Sequence, residues 1–217
     1  MTADSPRARL VTLRDGRQVT VRAVKGSDEA EIVRAFDRLS ADSKYLRFMV
    51  HQKKLNPAAL EAGLHPVPGR AFVFVATVPS SDGYEIVGAA QYVPADDRET
   101  GTRDSSDSSN SSESSEISDS RDINDKGRVC EFAITLAEAW RGSGLAVHLL
   151  ASLVRRSRRD GYRSMEGHVI AANRPMLALA RKLRFEVAPD PADATVVRVE
   201  RQLAPAKRPW RVQLDAS

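Results

Sequence analysis

The hydrophobic positions of this chain form short runs rich in β-branched and aromatic residues, separated by stretches in which apolar residues recur with helical spacing. The short runs predict strands at 18–24, 71–78, 85–93, 129–136, 163–170, 184–187 and 195–201. The second and third runs are joined by Pro79-Ser80-Ser81-Asp82-Gly83, whose turn residues predict an antiparallel hairpin.

Helices are predicted between these strands. Residues 27–31 offer an N-cap and an acidic first turn, and the apolar face that follows consists of Ile32, Val33, Phe36 and Leu39. A second helix is predicted to begin after Ser40 or Asp42. A third is predicted to begin at Pro57, because proline is tolerated at the first helical position.

Two further helices are predicted in the second half of the chain. The first follows Gly144, ends near Gly161, and has an apolar face made of Leu145, Leu149, Leu153 and Val154. Its last turns carry Arg155, Arg156, Arg158 and Arg159, which suit the negative end of the helix dipole. The second covers 173–183. Residues 1–16 are expected to be a loosely ordered extension, and the tail 204–217 has no assigned structure.

Residues 95–127 interrupt the pattern with a run of Ser, Asp, Glu and Asn. They hold ten Asp and Glu against four Lys and Arg, a net charge of −6, whereas the whole chain carries +4, so the rest carries +10. Because the segment has almost no large apolar groups, burial cannot offset the entropy of ordering it. We expect a disordered insertion within a single domain at 17–203. The basic remainder suits anionic ligands, either a small phosphate-bearing molecule or nucleic acid.

Composition excludes several classes of protein. The 217 residues, 41% of them hydrophobic, are enough for one core. The single cysteine, Cys130, excludes an internal disulfide framework and a cysteine metal cluster, and His51, His65, His148 and His168 lack metal-ligand spacing. No apolar run approaches the roughly 18 residues of a membrane span, and residues 1–6 do not resemble a signal peptide, so a cytoplasmic location is expected.

The strand at 129–136 leads into a glycine-bearing loop and then a helix. Gly142 and Gly144 permit a ligand to approach the backbone closely, and the first amides of the following helix attract anions. The loop lacks the third glycine of a dinucleotide fingerprint and the Gly-Lys-Ser/Thr of a Walker A motif. It therefore predicts a phosphate site of another type, with an ordinary connecting loop as the alternative.

Arg141-Gly142-Ser143-Gly144-Leu145-Ala146 resembles the Arg/Gln-x-x-Gly-x-Gly/Ala signature of the GNAT superfamily of N-acetyltransferases. Asn173-Arg174-Pro175-Met176-Leu177 is similar to the start of their late helix. The stretch 39–48, Leu-Ser-x-x-Ser-x-Tyr-Leu-Arg-Phe, is closer still to bacterial protein-lysine acetyltransferases of the Pat type. The resemblance implies an α/β GNAT fold: a mixed, mostly antiparallel sheet of about six or seven strands, splayed at its centre, with helices on both faces.

The resemblance also implies a co-substrate and its site. Acetyl-CoA would bind through its pyrophosphate at the loop and through its pantetheine arm at the central strand. The implied cofactor residues are Ile134, Thr135, Leu136, Arg141, Gly142, Ser143, Gly144, Leu145, Ala146 and Asn173. Glu131 would be the catalytic base. A lysine ammonium, with a pKa of about 10.4, must lose a proton before its nitrogen can attack. A structural ion pair is the alternative for Glu131. No metal is implied.

Two positions depart from the family pattern. Ala180 stands where many members carry a tyrosine that protonates the departing thiolate, and Arg184 replaces the glycine that commonly ends the late helix. Because arginine is disfavoured in a left-handed terminating position, we expect that helix to end differently. The favoured acceptor is a protein lysine. The alternatives are a small amine such as a polyamine or aminoglycoside, and an acetyl-CoA-binding regulatory module without turnover.

The remaining reactive residues are interpreted as structural. Cys130 neighbours Glu131, points to the opposite face of the strand, and is interpreted as a buried small hydrophobe. The four histidines are expected to have structural or surface roles. The arginines at 155–159 are interpreted as a solvated helix end rather than a nucleic-acid site, because no aromatic stacking motif accompanies them.

Overall fold

A computed structural model describes residues 6–49, 54–95 and 128–203, and eight strands of this part form one mixed sheet. The strands are β1 Arg9–Thr12, β2 Gln18–Ala23, β3 Phe72–Ser80, β4 Gly83–Pro94, β5 Val129–Leu136, β6 Ser164–Ile170, β7 Glu186–Pro189 and β8 Val196–Gln202. The α-helices are α1 Glu29–Asp37, α2 Ala41–Phe48, α3 Pro57–Leu64, α4 Leu145–Arg159 and α5 Arg174–Lys182.

The strand order is β1-β2-β3-β4-β5-β6-β8-β7, and every neighbouring pair is antiparallel except β5 and β6. The parallel pair extends only from Val129–Glu131 on β5 to Ser164–Glu166 on β6. Beyond these residues β5 follows β4 while β6 follows β8, so the sheet divides at its centre. The predicted α/β class, with a mixed, mostly antiparallel sheet splayed at its centre, is thereby confirmed.

Two cores lie on opposite faces of the sheet because side chains alternate along each strand. On one face, α4 and α5 cover a cluster that includes the fully buried Tyr92, Leu149, Leu153 and Met165. On the other face, Phe36 and Leu39 of the α1 region and Leu64 of α3 are buried, as are Val73, Val75 and Ile86 of the sheet. Val33, predicted on the apolar face of α1, is 37% exposed. The α1 face is therefore narrower than its sequence pattern predicts.

The N-terminal region differs from expectation. Residues 9–12 are a strand that pairs with β2, which is why the sheet has eight strands rather than six or seven. This strand buries only one of its residues, Val11, and Leu10 is 63% exposed. Its sequence therefore carries little hydrophobic pattern from which a strand could be predicted. Residues 1–5, the insertion from residue 96 to 127, His51 and the tail 204–217 lie outside the described residues.

The end of α5 also differs from expectation. Arg184 has φ of +61°, so the helix ends in the left-handed conformation that glycine usually supplies. The Arg184 N–H donates to the Arg181 carbonyl and the Phe185 N–H to the Ala180 carbonyl, both at 2.9 Å. This is a Schellman ending with arginine in the glycine position. Phe185 is 4% exposed and packs edge-on against Phe132, so burial of this ring favours the strained turn.

Candidate active site

The backbone of β5 is the floor of the candidate site. Backbone groups alternate in direction along a strand, and the Ala137 N–H donates to the Val87 carbonyl on the β4 side. Ile134 and Leu136 therefore present their N–H and C=O groups to the opening between β5 and β6. Thr135 directs its backbone towards β4, so only its side chain can reach a ligand there.

The loop between β5 and α4 holds amides that lack partners. Gly142 and Gly144 have φ of +75° and +93°, which side-chain-bearing residues rarely adopt. The amides of Gly142, Ser143, Gly144 and Ala146 donate no hydrogen bond to any residue that the structure describes. They lie at the N-terminus of a 15-residue helix, so amides and helix dipole together favour an anion.

Ser143 and Leu145 hold this loop from inside the protein. Ser143 is 3% exposed, its hydroxyl donates to the Trp140 carbonyl at 2.7 Å, and it accepts the Leu145 N–H at 3.3 Å. The Leu145 side chain is fully buried. Both side chains thus fix the loop conformation and do not face a ligand.

The first turn of α2 fastens the same loop from outside. Glu138 accepts hydrogen bonds from the Ser40 N–H at 3.0 Å and from the Ser43 hydroxyl, and Arg141 donates to that hydroxyl at 2.6 Å. Burial raises the pKa of Glu138, but the bonds from Ser43 and Ser40 outweigh it and lower the pKa to about 2. The Arg141 side chain is therefore part of this network. The two serines of the 39–48 stretch explain its spacing: they cap α2 and bind the loop.

The turn after β1 supplies a cation that no local sequence pattern predicts. The backbone N–H of Arg14 donates to the Ser143 carbonyl at 3.2 Å. The Arg14 side chain packs beside Gly144, with its Cγ 3.4 Å from the position that a Cβ on this glycine would occupy. Arg17 stacks on Trp140 at 4.1 Å and donates to the Ala139 carbonyl at 3.0 Å. A residue at an isolated turn carries no local signal for such a contact, because it arises only when the sheet forms.

Glu131 lies where β5 and β6 separate. It is 5% exposed, its Cα partner on β6 is Glu166, and its Oε1 lies 3.4 Å from Nδ1 of His168. Nε2 of the same ring lies 3.4 Å from Oδ2 of Asp190, which follows β7. His168 therefore lies between two carboxylates, a position that is compatible with the structural role expected from its sequence context.

Further charged groups surround this connection on the same face of the sheet. Burial raises the pKa of Glu166, and Arg198 and His168 partly offset that effect. Arg198, the Cα partner of His168 on β8, lies 3.5 Å from Glu166 and 3.1 Å from Glu200. This side of the cleft is therefore rich in carboxylates.

Comparison with known proteins identifies the family. Residues 50–185, more than half of the chain, match the model described as the acetyltransferase (GNAT) family. The chain belongs to the GNAT family. An acetyltransferase of Pseudomonas aeruginosa is 28% identical over 186 residues, which are 86% of this chain and 84% of that protein.

Solved structures show the same GNAT fold. The GNAT domain of S. lividans PAT superposes with a TM-score of 0.69 at 22% identity, over 90% of this chain and 97% of the other. The Salmonella typhimurium protein yncA, solved with its cofactor acetyl-CoA, gives 0.57 at 16% identity, over 88% and 97%. Family membership supports acetyl-CoA-dependent acetylation in general. The amides of Gly142, Ser143, Gly144 and Ala146, which donate to no described residue, are donors of the kind that bind phosphate.

Asn173 lies at the expected end of the GNAT cleft. Because β5 and β6 are parallel, their C-terminal ends share one edge, and Asn173 follows β6 by three residues. Its Oδ1 accepts the Met176 N–H at 3.2 Å and so caps α5. The side-chain oxygen is used for the cap, which leaves the NH₂ group of the amide for a ligand.

Several residues of this GNAT chain stay outside the site. Cys130 is fully buried, its Sγ is 3.6 Å from the Ser164 carbonyl, and burial raises the pKa of its thiol to about 12. Position 180 provides no hydroxyl because it is an alanine, and this alanine is fully buried. Among residues 6–49, 54–95 and 128–203, no three His, Cys, Asp or Glu side chains are arranged to hold a metal ion. In the same ranges no helix is long and apolar enough to span a membrane.

Proposed function

We propose that this protein transfers the acetyl group of acetyl-CoA to a primary amine, a protein lysine, by direct attack in a ternary complex. The observation that carries the proposal is the place of Glu131, a carboxylate 5% exposed at the point where β5 and β6 separate. The cleft that starts there is the one to which Ile134 and Leu136 present backbone groups. Acceptor amine and thioester would meet beside this carboxylate.

The chain's own groups supply the two chemical requirements of the reaction. Glu131 removes a proton from the acceptor ammonium, so that the nitrogen can attack the thioester carbon. A β5 N–H on the open side, that of Ile134 or Leu136, donates a hydrogen bond to the oxyanion that forms. Collapse of the tetrahedral species then expels the coenzyme A thiolate. Position 180 offers no acid for that step, and a thiolate is a good enough leaving group to depart without one.

The co-substrate is held by the loop that α2 fastens. The amides of Gly142, Ser143, Gly144 and Ala146 would receive the pyrophosphate, and the Arg14 guanidinium would add a positive charge beside Gly144. Acetyl-CoA supplies the activated acetyl group.

The acceptor class rests on two features. The 39–48 stretch resembles Pat-type enzymes, and in this structure its serines fasten the co-substrate loop rather than lie at a remote surface. The carboxylate of Glu166, the Cα partner of Glu131, and that of Asp190, beyond His168, also lie on this side of the cleft and suit a cationic acceptor. A lysine ammonium meets that requirement.

The test is Glu131→Gln with poly-L-lysine as acceptor and thiol release as the readout. We expect coenzyme A affinity within about twofold of wild type and a 10²–10⁴-fold loss of kcat, the usual scale of general-base catalysis. Glu186→Gln, an exposed strand carboxylate on β7, is the matched control and should keep full activity.

Three results would contradict the proposal. Equal losses in coenzyme A binding and turnover would show that Glu131 is a structural residue. Coenzyme A binding by the wild type without thiol release with poly-L-lysine, polyamines or aminoglycosides would indicate a regulatory module, and release with the small amines alone would reassign the acceptor.

A further inference from the structure

A base that is 5% exposed needs a route by which its proton reaches solvent before the next turnover. We propose that His168 is that route, a positioning residue that accepts the proton from Glu131 and passes it to Asp190 and water. The inference rests on the proposed role of Glu131 and extends it to two residues that the GNAT resemblance does not assign.

The contacts of the ring carry the inference. Nδ1 lies 3.4 Å from Oε1 of Glu131, and Nε2 lies 3.4 Å from Oδ2 of Asp190, so each nitrogen faces a different carboxylate. The side chains of Glu131, His168 and Asp190 are 5%, 32% and 15% exposed. The ring therefore touches both the buried carboxylate and solvent. Imidazole can bind a proton at one nitrogen while it releases one from the other.

The fold places the ring where β5 leaves β6. Glu166 is the Cα partner of Glu131, and His168 is two residues further along β6, on the same face. Among the described residues, β5 pairs with β6 only as far as Glu131, so the imidazole lies beside the opening that begins there.

The charged groups that face His168 are consistent with proton passage. Glu131 faces it from β5, Glu166 from its own strand, Arg198 and Glu200 from β8, and Asp190 from the segment after β7. Arg198 directs its guanidinium to Glu166 and Glu200. Arg198 is thus paired with these two carboxylates, while the ring itself lies within 3.4 Å of Glu131 and Asp190.

The step balances without another reagent. Glu131 takes a proton from the acceptor ammonium and becomes neutral. Its O–H bond then breaks as a bond forms between that proton and Nδ1, and Glu131 regains its charge. The N–H bond at Nε2 breaks as its proton passes to Asp190 and on to water. Exchange of ring protons with solvent restores the starting tautomer.

The variants His168→Gln and Asp190→Asn test the relay, with thiol release measured from pH 6 to about 10 on poly-L-lysine. For His168→Gln we expect unchanged coenzyme A affinity by titration calorimetry, unchanged KM for poly-L-lysine, and kcat lowered about 10–100-fold. Added imidazole buffer should restore part of kcat in proportion to its concentration, because it can carry the proton instead. Asp190→Asn should lower kcat less, since water reaches the ring directly. His65→Gln, at a histidine beside Glu61 on α3, is the control and should match wild type.

The outcomes distinguish failure of the His168 relay from failure of the Glu131 base. If Glu131→Gln loses turnover while His168→Gln keeps wild-type kcat, the relay is wrong and the base stands. If His168→Gln loses turnover but imidazole restores none of it, or if it loses affinity or thermal stability in proportion, the residue is structural and the relay is wrong. Full activity in Glu131→Gln, or absence of thiol release by the wild type, removes the base and the relay together.

Discussion

At the scale of single residues, the chain shows strain and chemistry that its sequence pattern does not. Arg184 adopts φ of +61° in a position that glycine commonly fills. In this conformation a residue with a side chain costs about 1–2 kcal/mol more than glycine. Part of that difference is offset, because glycine loses more conformational entropy on folding. Arg184 also lies near Arg201, whose pKa is lowered by burial and then by Arg184 and Arg158.

The first prediction follows from that strain. Arg184→Gly should raise the free energy of unfolding by about 0.5–1 kcal/mol and the melting temperature by a few degrees, because it removes both the strain and the like-charge contact. Thermal unfolding measures this. Arg181→Gly, inside the last turn of α5, should do the opposite and cost about 1 kcal/mol. A loss of stability in Arg184→Gly would mean that the arginine side chain makes a compensating contact.

The residues that sequence reasoning found and missed differ in the range of their interactions. The turn at Gly142 and Gly144 could be predicted because loop geometry depends on neighbours in the sequence, whereas Asn173 was named through the family resemblance alone. His168 could not be predicted, because its partners lie 37 and 22 positions away, at Glu131 and Asp190. The register of β5 against β6 brings Glu131 to His168, and the pairing of β6 with β8 and of β8 with β7 brings Asp190 there.

At the scale of elements, the strand, loop and helix at 129–159 could be predicted almost to the residue, whereas β1 could not. The 129–136 run is apolar except for Glu131 and Thr135, and Gly142 and Gly144 mark the loop before the helix, so local pattern and tertiary role agree. β1 is an edge strand with one buried residue, and its pairing with β2 is decided by backbone hydrogen bonds rather than by a hydrophobic pattern. The network of Ser40, Ser43 and Glu138 likewise joins elements far apart in the sequence.

The second prediction tests the β5–α4 loop with a matched pair of glycines. Gly142 and Gly69 both have φ of +75°, and a Cβ at either would meet nothing within 4 Å. Glutamate should therefore strain both positions equally. Gly142→Glu also places an anion among the amides proposed for the pyrophosphate, so coenzyme A affinity measured by titration calorimetry should fall at least about 100-fold. Gly69→Glu should bind as wild type. Equal affinity of the two folded variants would exclude the loop as the phosphate site.

At the scale of the whole molecule, buried carboxylates join the helices of one face to the sheet. Asp28 is fully buried and accepts hydrogen bonds at 2.7 Å from both terminal guanidinium nitrogens of Arg22. Glu31 accepts hydrogen bonds from Arg38 at 2.7 Å and from the Ile86 N–H at 3.0 Å. Burial raises the pKa of each, but the bonds from these donors outweigh it, and both pKa values lie below the ordinary range. Glu138, which joins α2 to the loop, has its pKa lowered to about 2 by the same balance.

The last prediction follows from the direction of these shifts. A carboxylate whose folded pKa lies below its unfolded value stabilises the protein above the unfolded pKa, and that contribution is lost as the pH falls through the folded value. Asp28, Glu31 and Glu138 act in this sense, whereas Glu166, with a raised pKa, acts in the opposite one. Stability should therefore fall as the pH decreases from about 5 towards 2. Urea unfolding at several pH values measures this fall in stability.

Asp28→Asn should lower stability at pH 7, because it leaves the Arg22 charge without its partner. It should also flatten the slope of stability against pH in the acid range. Glu186→Gln, at an exposed carboxylate, should leave the slope unchanged. An Asp28→Asn protein with the wild-type slope would show that this buried pair does not control acid unfolding.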